Sequence, residues 1–261
     1  MRKLSTVLVG LALAVGVVSA AAPAQAADGP STTAAPVFQM PFFCHQTWVA
    51  STYDGHSPDQ NSIDLMRVNA ATSEGLPVVA SADGTVSAIG EVEDDLGQNF
   101  GEYVYINHGN GYETRYLHIE TGLAVGTSVV RGQHLGTIGK YLTMTPHLHY
   151  TQLLNGVTLR IAFSNTLINV HKNAPKDANG NYPTQNLTSN NCPADCVLSA
   201  FGINGGAVKC ASGAGVRVAI ECEMGNGTLY VKRGSFVAAK TSSTAICGGG
   251  HLLLDRWFEV S

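Results

Sequence analysis

Two histidines, His147 and His149, sit in the run Thr145-Pro146-His147-Leu148-His149-Tyr150. If that run is a β-strand, its i and i+2 residues share a face. The two imidazoles then stand side by side, while Leu148 and Tyr150 turn the other way. Imidazole is the commonest protein metal ligand and the commonest general base near neutral pH. In a chain with nine histidines, an isolated pair is also readable as one surface and one core residue. His56, Asp64 and His118 must be weighed with it. His56 lies in a polar loop, Asp64 follows on a short alternating strand, and His118 ends a hairpin strand. A catalytic zinc site takes three ligands from His, Asp or Glu and keeps a fourth position open. It also needs a base or polarising group nearby. Four histidines and one aspartate are enough for both jobs. The sequence has no H-E-x-x-H helix, G-x-S-x-G elbow or G-x-x-x-x-G-K-[ST] loop to suggest other chemistry.

The elements that must position these residues read as short strands. A strand is expected around Ser62-Ile63-Asp64-Leu65. Pro77 to Ser81 and Thr85 to Ile89 flank the turn signal Ala82-Asp83-Gly84 and read as a hairpin. Glu102 to Asn107 and Tyr112 to His118 flank His108-Gly109-Asn110-Gly111 as a second hairpin. Short strands follow at 128–130 and 134–138, and the last carries the histidine pair. The only helical expectation is a single turn near Ile161 to Asn165. Turn signals every 8–12 residues indicate an all-β domain.

The chain has 261 residues, enough for one medium domain and a small one. Residues 1–26 read as a signal peptide: Arg2 and Lys3, an apolar run, then Ala24-Gln25-Ala26 as an A-x-A cleavage site. Residues 27–41 read as an extended lead-in, 42–170 as the main β domain and 171–191 as a linker. Residues 192–261 read as a small C-terminal β domain, with an alternating strand at 216–223 and an Asn226-Gly227 hairpin turn. Six cysteines in an exported chain suggest disulfides. A core this small needs staples, and Cys222–Cys247 is the preferred bridge. Residues 27–191 hold 7 Lys and Arg against 14 Asp and Glu, and residues 192–261 hold 6 against 5. Neither part has the basic excess of a nucleic-acid binder. No stretch after the signal is long and apolar enough to span a bilayer. The expectation is a secreted, extracellular monomer, with no nucleic-acid partner and no membrane association after signal cleavage.

Together, these residues resemble a known family. The pieces are His56 with Asp64; Gly75 through Val86; Ile106 through Tyr112 and on to Tyr116-Leu117-His118; Gly132-Gln133; and Pro146-His147-Leu148-His149. In order and spacing they resemble the lysostaphin, LytM and β-lytic zinc metallopeptidases, from about Phe42 to about Gly156. The Phe43-Cys44 start and the His56-Ser57-Pro58 loop resemble the secreted actinobacterial branch. The resemblance implies a twisted antiparallel β-sheet with a groove, one Zn2+ ion, and hydrolysis of peptide bonds in peptidoglycan cross-bridges or stem peptides, and so adds the cell wall as an alternative address. It assigns His56, Asp64 and His149 as zinc ligands, and His118 and His147 as catalytic histidines beside the metal. Two departures are visible. The loop between His56 and Asp64 is longer than in many relatives, which makes His45 an alternative first ligand. The stretch 139–145 lacks their Gly/Ser-rich pattern and is expected to line the groove. Competing functions are a non-catalytic wall-binding regulator on the same fold and an extracellular protease of Gly-rich proteins.

Overall fold

The computed structural model describes residues 34–260 apart from 58–59, 69–71, 95, 143, 193–195 and 212–214. The expected signal peptide therefore lies outside the described residues. No helix among them is long and apolar enough to cross a membrane. The described chain is all-β and antiparallel.

The first part holds β1 (Thr47–Ser51), β2 (Ile63–Arg67), β3 (Pro77–Val79), β4 (Gly84–Glu93), β5 (Asn99–Gly109) and β6 (Tyr112–Glu120). It continues with β7 (Ser128–Val129), β8 (His134–Ile138), β9 (Leu148–Leu154) and β10 (Val157–Thr158), then β11 (Ala162–Phe163), β12 (Thr166–Leu167) and β13 (Gln185–Thr188). The main sheet runs β13-β1-β2-β9-β6-β5-β4-β7, with β10 on β9, β8 on β6 and β3 on β8. Alternation decides what each strand buries. Ile63 and Leu65 of β2, Val104 and Ile106 of β5, and Leu148 and Tyr150 of β9 enter one apolar core with Phe42, Trp48 and Tyr116. The intervening residues of β2, β5 and β9 are thereby left to the opposite face, where the histidines lie.

The β5–β6 hairpin forms as the sequence predicts. Asn110 and Gly111 both take positive φ, 52° and 81°, the conformation a two-residue primed turn requires. Two other expectations are corrected. β3 does not pair with β4: Val78 lies opposite Gly136 of β8, and β4 pairs with β5 and β7. The expected helical turn near 161–165 is instead the β11–β12 hairpin, with Ser164 and Asn165 at positive φ in its turn. The segment 171–191 is more tied down than a free linker, since β13 pairs along β1 at the sheet edge.

The C-terminal part holds β14 (Cys196–Ala200), β15 (Gly205–Cys210), β16 (Val216–Glu223), β17 (Leu229–Arg233), β18 (Ser242–Ile246) and β19 (Leu252–Val260). They form two three-stranded sheets, β14-β15-β18 and β17-β16-β19. Val208, Val218, Ile220 and Phe258 share a core with the cysteines. The disulfides are Cys44–Cys192, Cys196–Cys210 and Cys222–Cys247, the last as expected.

Candidate metal centre

Strand register and one loop put three of the five residues together. Asp64 on β2 lies opposite His149 on β9, and His149 lies opposite Leu117 on β6. His56 arrives from the β1–β2 loop. All three are almost fully buried: His56 is 2%, Asp64 8% and His149 2% exposed. His56 Nε2 is 3.0 Å from Asp64 Oδ1 and 3.1 Å from His149 Nδ1, and the third edge of the triangle is 3.4 Å. A tetrahedral zinc with bonds of about 2.0–2.1 Å separates its ligand atoms by about 3.3 Å. The observed edges match that spacing, and the donor set of two imidazoles and a carboxylate suits zinc. His149 Nε2 has no hydrogen-bond partner among the described residues, so the ring engages polar groups through Nδ1 alone, toward the triangle. These residues fit a bound zinc ion.

The other two histidines stand beside the triangle. His147 donates its Nδ1–H to the Thr145 carbonyl at 2.7 Å, and His118 donates its Nδ1–H to the Phe100 carbonyl at 2.8 Å. Each tether leaves Nε2 as the reactive nitrogen. The two rings are 5.0 Å apart, and His118 is 5.9 Å from His149.

Their environments differ. Burial lowers the His118 pKa to about 4, and the charges of His147 and His149 add to it against the Phe100 bond and Asp64. Burial also acts to lower His147, but its 3.3 Å contact with Asp64 Oδ1 outweighs this and the pKa is raised. Burial acts to raise Asp64, yet hydrogen bonds from His147, His149 and His56 hold its carboxyl well below the usual range. Burial lowers His149. In the metal-free protein, His118 is therefore the neutral imidazole and His147 the readily protonated one.

His118 reaches the groove by a route not visible in sequence. It does not end its strand; it sits inside β6 with φ 64°. Leu117 pairs with Tyr103 and Ile119 with Glu102, so His118 is the extra residue of a bulge. A bulge re-aims a side chain, and such bulges are over-represented beside active sites.

The histidines open onto a groove of about 690 Å³. Its lining includes Tyr53, Phe100, Tyr103 and Tyr105, together with Glu91, Glu93, Met144 and Thr145. The 139–145 stretch thus contributes to the groove as expected. Tyr103 and Tyr105 went unnoticed in the sequence. Their signal was available, since they share the face opposite the apolar Val104 and Ile106. Trp48 is fully buried in the core. His108 is structural: it bonds the Asp83 carbonyl and the Thr114 hydroxyl. His45 is exposed and stands beside Cys44 and Cys192, whose sulfurs are bonded to each other and unavailable as thiolates. Among the described residues no hydrogen bond or ion pair joins His45 to the triangle, whereas His56 is part of it.

Known proteins share this stretch of chain. Residues 65–160 match Peptidase family M23, a span that includes His118, His147 and His149 and begins just after Asp64. The peptidoglycan DD-endopeptidase ShyC of Vibrio cholerae is 42% identical over 85 residues, which is 32% of this chain and 18% of that protein. The DD-carboxypeptidase/endopeptidase Mpg of Neisseria meningitidis is 36% identical over 90 residues, 34% of this chain and 20% of that one. A solved zinc containing peptidase from Vibrio cholerae aligns at 27% identity with a TM-score of 0.36, over 47% of this chain and 38% of its own. The chain spans about a fifth of the length of the curated relatives it matches.

Proposed function

We propose, from the match of residues 65–160 to peptidase family M23, that this chain is a secreted zinc metalloendopeptidase that hydrolyses peptide bonds in peptidoglycan cross-bridges or stem peptides. The observation that carries the reading is the buried His56–Asp64–His149 triangle with two further imidazoles at its open side. Export is supported by three disulfides and by the Ala24-Gln25-Ala26 cleavage pattern. The relatives named as peptidoglycan endopeptidases support the substrate class.

His56 Nε2, Asp64 Oδ1 and His149 Nδ1 would hold the ion. When bound, zinc polarises a carbonyl and makes water a nucleophile near neutral pH. The chain's own residues do the rest. The substrate peptide lies in the groove against Tyr103 and Tyr105. His118, neutral and with Nε2 bare, takes the proton from the attacking water. His147, protonated, donates a hydrogen bond to the carbonyl oxygen as charge builds there. The proton held by His118 passes to the leaving amine. A non-catalytic wall binder needs none of these groups, and a protease of Gly-rich proteins would use the same chemistry on another peptide.

The test uses the purified chain after signal removal. Zinc is quantified, and the fragments from defined peptidoglycan and from Gly-Gly peptides are identified by mass spectrometry. One zinc per chain and cleaved wall peptides are expected. A chain without zinc that releases no fragment sinks the reading.

A further inference from the structure

Thr52 leaves β1 at the start of the loop that carries His56, and Ser62 stands at the loop's other end, before β2. The Thr52 hydroxyl touches both. Its Oγ1 is 3.2 Å from the Ser62 carbonyl oxygen and 3.0 Å from His56 Nδ1, in a buried setting. A hydroxyl has one proton to give and two lone pairs to offer. The carbonyl oxygen can only accept, so the Thr52 proton goes to Ser62. His56 Nδ1 must then donate to Thr52 Oγ1. The Nδ1 hydrogen is thereby fixed toward Thr52, and Nε2 is the nitrogen left to ligate once a metal replaces its contact with Asp64. That Nε2 is the atom 3.0 Å from Asp64 Oδ1 and 3.1 Å from His149 Nδ1.

We infer that Thr52 is the positioning residue for metal ligation by His56. It selects the one neutral tautomer able to ligate through Nε2, and it closes the stem of the loop on the ring. This rests on the reading of His56 as a ligand. Tyr53 stacks on the same ring at 4.3 Å, but stacking fixes the plane of an imidazole and not the site of its proton. Metal-ligating histidines characteristically donate their second ring N–H to a fixed acceptor, and the acceptor is worth 10- to 100-fold in metal affinity or activity. Here that acceptor is a hydroxyl whose own proton is committed elsewhere. The arrangement explains how a loop this long presents its ligand at a fixed point.

The test compares the full mature chain with Thr52→Val and Thr52→Ser. Zinc dissociation constants come from chelator competition. The His56 Nδ1–H is followed by proton and nitrogen-15 NMR of the zinc-loaded proteins, where its hydrogen bond to Thr52 slows exchange with water. We expect Thr52→Val to bind zinc roughly 10- to 100-fold more weakly and to lose the slowly exchanging Nδ1–H signal. Thr52→Ser retains both the affinity and the signal. Unchanged zinc affinity in a folded Thr52→Val protein overturns the inference. So does the absence of a slowly exchanging His56 Nδ1–H in the zinc-loaded unsubstituted chain, a result that does not depend on whether Thr52→Val folds. An unsubstituted chain that binds no zinc refutes the ligand reading itself, and the Thr52 inference falls with it.

Discussion

His118 and His147 carry the same tether, an Nδ1–H given to a backbone carbonyl, yet their surroundings push their protonation in opposite directions. Paired groups driven apart in this way are how one site supplies both acid and base. Substitutions should divide the five residues into two sets. His149→Ala and Asp64→Ala remove a corner of the triangle, and elemental analysis after dialysis should find the zinc gone. His118→Ala and His147→Ala should retain zinc and lose roughly 10²–10⁴-fold in kcat, the range for a general acid or base. The low His118 pKa also has a consequence for stability. An unfolded histidine titrates at roughly 6.5, and His118 in the fold at about 4. As pH falls through that interval the unfolded chain binds the proton first, so the metal-free fold loses stability on acidification. His149, lowered in the same direction, adds to the loss. His118→Gln should flatten the decline, measured by urea unfolding of the metal-free protein across the interval; an unaltered slope contradicts the assignment. The five residue types were legible from sequence because ligand chemistry needs few residue types. Thr52 was not: a lone threonine four residues before a histidine carries no signal until the fold brings Ser62 beside it.

At the scale of elements, two backbone carbonyls orient the two free histidines, and the Tyr141 ring packs against the backbone at Gly101 and Gly139. A Cβ on Gly101 would come 2.3 Å from the Tyr141 ring, and so would one on Gly139. Gly101 adjoins Phe100, whose carbonyl holds His118, and the Gly139 N–H donates to the His118 carbonyl. Tyr141 begins the turn that leads to Thr145, whose carbonyl holds His147. The bulge at His118 also marks where β6 changes partner, from β9 at Leu117 to β8 at Ile119. Gly101→Ala adds a methyl where the ring already lies, at φ 93°, a conformation that L residues rarely adopt. The substitution should cost about 1–3 kcal/mol by overpacking and lower kcat while zinc content is unchanged. Thermal unfolding and metal analysis on the same preparation check both halves. The strands themselves were readable because alternation and turn residues are local. Their pairing was not. The Ala82-Asp83-Gly84 signal marks a real bend, but β3 leaves it for β8 and β4 for β5, and such choices depend on distant strands. The short β11–β12 pair was missed because two-residue strands have no period to read.

Over the whole molecule, the C-terminal sheets pack against the strand of Asp64 rather than standing apart. Arg67 ends β2, the strand of Asp64, and is 7% exposed. Its guanidinium lies between Trp48 and Trp257, at 5.8 Å and 5.9 Å from the ring centres, and donates to the Thr47 carbonyl at 2.7 Å. Glu221 of β16 faces it at 3.7 Å. Phe43 and Val79 from one side meet Ala219 and Trp257 from the other in a shared apolar cluster, and the Cys44–Cys192 bridge lies at the junction of the two parts. A buried cation held from both sides ties the stability of the two parts together, because separating them strands a charge without its partner. The sequence alone marks residues 192–261 only as a small β domain. The packing gives them a structural role whether or not they also bind wall. Denaturant unfolding of the oxidised chain should therefore follow one cooperative transition. Trp257→Ala, which empties a site 1% exposed, should destabilise that transition by about 3–5 kcal/mol. Circular dichroism follows the whole β content, and zinc release follows β2 and β9. If Trp257→Ala lowers the circular dichroism midpoint but leaves zinc release where it was, the two parts unfold independently and the brace on β2 has no energetic weight. Coincident shifts of both midpoints are the expected result, since the strand that carries Asp64 is the strand that Arg67 anchors.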